Sequence, residues 1–376
     1  MPDTKEMKEG TAKLIVASSE KNSDMFYATK FFTPDPFIWL KTKDGTKVYV
    51  NSLEFGRAQK EAIVDEVVDD FEFNSGNSFP DKLVDILQNN GIEKVLVPKN
   101  FEIQYAKALF DNGIKIDIKP GIFFEERAIK TQKEVREIRK VQKVAEKAMS
   151  KAINLIQKSE RGGLDKLFYL GEPLTSEMVR EAIHIEFLKR GCGFEPSIVA
   201  CGKDSADPHQ TGEGPLFADQ PIVIDIFPRS YKSGYFADMT RTVVKGEASP
   251  EIEKMYAAVL EAQEAAIKAI KPGISASAID LMIRDHFKKC GFKTEKVDGK
   301  HQGFIHATGH GVGLEMHEDP IIYRTNEKTL EHGNVFTVEP GLYYPEIGGI
   351  RIEDLVVVTK NGVKNLTQFS KDNLII

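Results

Sequence analysis

Four carboxylates sit where a soluble chain rarely puts them, in apolar, β-like runs. Asp225 lies in I-V-I-D-I-F and Asp238 in F-A-D-M-T-R-T. Glu339 lies in V-F-T-V-E-P-G and Glu353 in I-R-I-E-D-L-V-V-V. Burying a carboxylate is costly unless it is paired or bound to a metal. A single such Asp more often accepts backbone hydrogen bonds at a strand end. Four facing inward repel one another unless cations lie among them. Arg241 and Arg351 are close enough in sequence to offer a competing reading, a structural Arg–carboxylate network.

The acids arrive in two pairs, and the chain before each pair reads alike. Thr131-Gln132-Lys133-Glu134 is a capping box opening a long amphipathic helix, with Val135, Ile138, Val141, Val144, Ala148 and Ala152 three or four apart. A second helix starts near Thr175 and stops at Gly191. Later, Ser249-Pro250 supplies an N-cap with Pro at the first helical position. That helix runs to about Ile270, and the next, from about Ser277, stops at Gly291. Residues 131–245 and 249–360 thus share one order: long helix, shorter helix ending in Gly, irregular segment, two strands carrying two acids. A duplicated half-domain curving around one central site follows from that order.

Five of the eight histidines fall between His301 and His332. His306 and His310 would share a helix face, but Gly309, Gly311 and Gly313 argue for a loop or irregular strand. One ligand is expected here, and a surplus His is then a candidate proton shuttle or oxyanion donor. His209, in A-D-P-H-Q-T-G, reads as a surface loop residue when taken alone. His184 and His286 lie inside helices and receive no role. The chain has no H-E-x-x-H, no G-x-S-x-G elbow, no G-K-[ST] phosphate loop and no G-x-G-x-x-G dinucleotide fingerprint.

Residues 1–125 alternate strand and helix signals. Residues 14–16, 37–40, 47–50, 94–97 and 114–118 read as strands, with helices over 82–89 and 101–112, which predicts an α/β layer with a mixed sheet. A boundary falls between about Gly121 and Lys130. With 376 residues, two domains are affordable. A net charge of −6 argues against nucleic acid or an acidic membrane as partner. None of the three cysteines is paired at metal-ligand spacing, so neither a disulfide frame nor a zinc knuckle is expected. That, and a charged M-P-D-T-K-E-M-K-E-G opening unlike a signal peptide, points to the cytoplasm. No run approaches a membrane span.

The segments A-D-M-T-R-T, H-A-T-G-H-G-V-G-L-E-M-H-E, T-V-E-P-G-L-Y and I-R-I-E-D resemble the signatures of the pita-bread metallopeptidases, which include prolidase, aminopeptidase P and methionine aminopeptidase. The resemblance is strong over about 126–370. It implies an α+β protein: an N-terminal creatinase-like α/β domain over 1–125 and a pseudo-two-fold pita-bread catalytic domain over 126–376. Methionine aminopeptidases usually lack the first domain, so the Xaa-Pro branch is favoured.

By that resemblance Asp225, Asp238, His310, Glu339 and Glu353 bind two divalent metals, with Asp238 and Glu353 bridging. Mn²⁺ or Co²⁺ is the family's leaning, and Zn²⁺ suits the ligands too. Glu339 doubles as proton acceptor, and His317 stabilises the tetrahedral intermediate or hands on a proton. His209 faces the scissile carbonyl and His306 lines the pocket. The two Asp stand further apart than is usual in the family, so a longer Pro228–Gly234 hairpin is expected. The implied reaction is hydrolysis of the Xaa-Pro bond, in dipeptides or at the N-terminus of short proline-containing peptides. An Arg soon after His317-Glu318-Asp319-Pro320 would suit a dipeptide carboxylate, but Arg comes only at Arg324, which leans slightly toward longer peptides. A methionine aminopeptidase and a non-catalytic peptide-binding protein are the alternatives. Relatives with this layout are often dimers, so a homodimer is expected.

Overall fold

A computed structural model describes residues 8–73, 78–194 and 196–376. The first seven residues, which hold most of the charged opening, lie outside the described residues. The chain divides into two compact units, Met1–Arg127 and Ala128–Ile376.

The first unit is built on a six-stranded mixed sheet. Its strands are β1 (Thr11–Ala17), β2 (Phe37–Thr42), β3 (Gly45–Val50), β4 (Glu66–Asp69), β5 (Lys94–Pro98) and β6 (Lys115–Lys119), in the order β4-β3-β2-β1-β5-β6. Strand side chains alternate between faces, so a sheet covered on both sides needs continuous apolar runs. Leu14, Val16, Ile38 and Leu40 pack with residues of α3 (Phe79–Asn89) and α4 (Ile103–Asp111). Their neighbours Ile15, Phe37 and Trp39 pack on the other face with residues of α1 (Ser23–Thr29) and α2 (Ser52–Glu61).

The second unit repeats itself. Its first half opens with α5 (Gln132–Gln157), where the Thr131 hydroxyl accepts from Glu134 N and the Glu134 carboxylate accepts from Thr131 N. After α6 (Ser176–Leu188) comes a three-stranded antiparallel sheet, Ile198–Cys201, Pro221–Ile226 and Met239–Val244. The second half has α7 (Pro250–Ala269), α8 (Ala276–Lys289) and a sheet that pairs Val335–Val338 with Asp354–Thr359. Each half fills its own apolar core between its helix pair and its strands. The two sheets meet edge to edge, since Glu353 N donates to Thr240 O and Arg351 N donates to Thr242 Oγ1. In the stretch between the two Asp, Pro228–Ser230 pairs with Cys192–Phe194. The chain then reverses over 231–234, where Gly234 N donates to Ser230 O.

Candidate metal centre

Only Asp225 lies inside a strand. Asp238 immediately precedes Met239–Val244, Glu339 immediately follows Val335–Val338, and Glu353 immediately precedes Asp354–Thr359. The apolar runs that carry these acids are real strands, but three of the four sit at strand ends, where ladder pairing stops and a side chain can turn inward. The placement repeats: each half sets one acid at or near the end of its first strand and one just before its second.

His310 sits in the short strand Gly309–Gly311. A Cβ on Gly309 would collide with the Thr337 carbonyl, and one on Gly311 with the Asp319 carbonyl. The glycines therefore let this strand press between its two neighbours. Thr337 serves both sides of the site: its hydroxyl accepts from His310 N and donates to Glu339 Oε1, each at 3.1 Å.

Asp238, His310 and Glu353 bring ligand atoms within 4.8 Å of one another. His310 Nε2 lies 3.3 Å from Glu339 Oε1 and 3.6 Å from Asp238 Oδ2. Its Nδ1 is 3.2 Å from Gly311 O. The tautomer that donates there leaves the Nε2 lone pair directed at the acids.

Asp225 joins through Arg351. Its Oδ2 accepts from Arg351 Nη2 at 2.8 Å, while Oδ1 is buried with no hydrogen-bond partner. Arg351 also donates to the Tyr343 hydroxyl at 2.9 Å and to Thr240 Oγ1 at 3.1 Å, and Thr240 donates to Glu353 Oε2 at 2.7 Å. The Tyr343 hydroxyl lies 2.9 Å from His306 Nε2. Arg241 turns away to Asp354. A network of arginines would have to neutralise the acids, and Arg351 donates to Asp225 alone of the four.

The electrostatics register that shortfall. Burial, reinforced by the charges of Asp225 and Glu339, holds the Asp238 carboxyl well above the usual carboxylate range. Burial and then Asp238 do the same to Glu353. Glu339 is pushed up to about 8 by burial, which outweighs the nearby Arg351 charge. The imidazoles shift the other way: burial and Arg351 take His306 down to about 3, and burial and His317 take His310 down to about 4. A buried unpartnered carboxylate oxygen, mutually repelling acids and one neutral imidazole form an oxygen-rich donor set. Hard-to-borderline divalent ions fit it.

Two further histidines, His317 and His209, stand near this cluster. The His317 ring packs edge-on against His310 with centroids 4.2 Å apart and is itself exposed. His209 is exposed on the loop after Gly202–Ala206, and its charge weighs on both His306 and His317. Sequence reasoning gave no role to Thr240, Thr337 or Tyr343. All three lie inside the motifs A-D-M-T-R-T and T-V-E-P-G-L-Y, which are the signal that points to them.

Comparison with known proteins places the chain in a family. Residues 136–360 match metallopeptidase family M24. The chain is 32% identical to an Xaa-Pro dipeptidase of Pyrococcus furiosus, over 98% of this chain and all of that protein. Among solved structures, an Xaa-Pro dipeptidase from Bacillus anthracis superposes with a TM-score of 0.83 at 27% identity, covering 97% of this chain and 95% of the other. An X-Pro aminopeptidase from Thermotoga maritima gives 0.82 at 26%, covering 97% of each. The fold is accordingly the α+β pita-bread arrangement preceded by a creatinase-like unit, and no helix among the described residues is long and apolar enough to cross a membrane. On these grounds the chain belongs to metallopeptidase family M24.

Proposed function

We propose that this chain is an Xaa-Pro dipeptidase working with two divalent ions. The observation that carries the hydrolytic part is the convergence of Asp238, His310 and Glu353 within 4.8 Å, with a buried unpartnered Asp225 oxygen in the same network. Substrate choice rests on the full-length similarity to the Pyrococcus furiosus dipeptidase. That outweighs the lean toward longer peptides drawn from the late Arg324, which is exposed and stacks on Tyr323.

In this reading Asp225, Asp238, His310, Glu339 and Glu353 hold the ions, with Mn²⁺ or Co²⁺ favoured. Bound there, such ions polarise a carbonyl and lower the pKa of water, so that hydroxide is available at neutral pH. The chain's own residues supply the rest. Glu339 is held by Thr337 beside the Nε2 of His310. It suits taking the water's proton and giving it to the departing proline nitrogen. His317, exposed beside His310, is placed to donate to the carbonyl oxygen as charge builds there. His306 stays neutral and steadies Tyr343, which with Arg351 fixes Asp225. His209, exposed on the loop after Gly202–Ala206, is assigned to face the scissile carbonyl. All three cysteines are free thiols, which suits a reducing cytoplasm.

The test compares rates on Ala-Pro, Ala-Pro-Ala and a Met-Ala peptide after loading with Mn²⁺ or Co²⁺. Fast cleavage of Ala-Pro alone is expected. Preference for Ala-Pro-Ala would reassign the chain to the aminopeptidase branch. Turnover of Met-Ala only would remove proline specificity.

A further inference from the structure

Outside the centre, Glu261, His286 and Cys290 come together on the paired helices α7 and α8. Glu261 lies on α7. His286 and Cys290 stand one turn apart at the end of α8, Cys290 being its C-cap. His286 Nε2 lies 3.5 Å from Glu261 Oε2 and 3.5 Å from Cys290 Sγ, and the three donor atoms all fall within 4.8 Å of one another.

One ring nitrogen cannot serve both neighbours well. Protonated, it donates to the carboxylate and has no lone pair for the thiol. Unprotonated, it accepts from the thiol and meets the carboxylate lone pair to lone pair. A cation satisfies all three at once. Tetrahedral zinc, with bonds of about 2.3 Å to sulfur and 2.0–2.1 Å to nitrogen, sets its donor atoms roughly 3.3–3.6 Å apart. Both separations from Nε2 fall in that range, and the exposed Glu261 side chain is free to turn toward the same point. The carbonyl end of α8 also favours positive charge. Of the nearby cations, Lys288 and Lys289 share the last turn, and Lys254 is engaged over the Phe292 ring.

We infer that Glu261, His286 and Cys290 form a second metal site, which takes a thiophilic divalent ion such as Zn²⁺ and ties α7 to α8. A thiolate sets this site apart, because the donors gathered at the candidate centre are oxygens and one imidazole.

The probe is Cd²⁺, titrated into reduced, full-length protein already loaded with Mn²⁺, following the thiolate-to-cadmium charge-transfer band in the ultraviolet. One saturable equivalent is expected. Cys290→Ser should abolish the band, and His286→Ala and Glu261→Gln should each weaken Cd²⁺ binding by about tenfold or more. Melting temperatures measured without Cd²⁺ verify that each variant is folded. Absence of the band overturns the proposal, as does its persistence in Cys290→Ser, which would assign it to Cys192 or Cys201. Unchanged affinity in His286→Ala would reduce the site to a lone thiol and equally overturn it.

Discussion

At the scale of single residues, Asp238 and His317 have different work in the proposed reading, the first holding metal and the second acting on substrate. Asp238 is buried and faces both His310 and the charges of Asp225 and Glu339. Asp238→Ala should release metal and abolish activity together, read by metal analysis and turnover on one preparation. His317 is different. It is exposed, its ring rests on His310, and it lies outside the donor cluster. If it donates to the developing oxyanion, His317→Ala should lower kcat by about 10²–10³-fold, as loss of one such donor does. KM and metal content should barely move, because that interaction is weak in the ground state. Lost metal would make His317 a ligand. A lowered melting temperature with near-normal turnover would make it structural.

Elements position these residues, and α8 does so through a clamp. Asp280 is fully buried; its Oδ1 accepts from Thr308 N at 3.2 Å and from Thr308 Oγ1 at 2.9 Å. Arg284, one turn on, donates to Asp280 Oδ2 at 2.6 Å, to Phe304 O at 3.0 Å and to His306 O at 2.8 Å. Thr308 O in turn accepts from Glu339 N at 2.8 Å. The helix thereby fixes the path of the chain from Phe304 to His310. Asp280→Ala removes the acceptor of the buried Thr308 N and Oγ1 and the partner of the partly buried Arg284, and should cost about 1–3 kcal/mol in denaturant unfolding. It should also weaken metal binding by displacing His310. Intact stability would show that water or another acid takes over the clamp.

What could be read in the sequence follows the same division. Helices α5 and α7 announced themselves because their signals are local: a capping box at Thr131 and Ser249-Pro250. The helix α2 did not, since Gly56 and a polar run break its pattern, and neither did the seven-residue α1. The acids were visible because charge inside an apolar run is anomalous. Their mutual arrangement was not: Arg351 meets Asp225 across 126 positions, and Thr240 meets Glu353 across 113. The cluster at Glu261, His286 and Cys290 was equally hidden, since it borrows a ligand from another helix.

For the whole molecule, the two halves donate acids to one cluster, so its protonation bears on the stability of the whole unit. In metal-free protein Glu339 titrates near 8 rather than its ordinary 4.5. The folded state then holds a proton that the unfolded state gives up. This contribution is complete below about 4.5 and is lost as pH rises to about 8. His306 and His310 act oppositely. They stay neutral down to about 3 and 4, whereas unfolded histidine takes up a proton near 6.5. Their contribution is present above 6.5 and lost as pH falls. The two effects compete between about 4.5 and 6.5, but from about 6.5 to 8 only the acids titrate. The melting temperature of protein held in EDTA should therefore fall across that upper window. Binding of Mn²⁺ requires the carboxylates to be ionised, so it releases protons and tightens as pH rises over the same interval. Scanning calorimetry in EDTA and in Mn²⁺ should give curves that diverge progressively between pH 6.5 and 8. Parallel curves there would mean that the repulsion among Asp225, Asp238, Glu339 and Glu353 is relieved by something other than the metal.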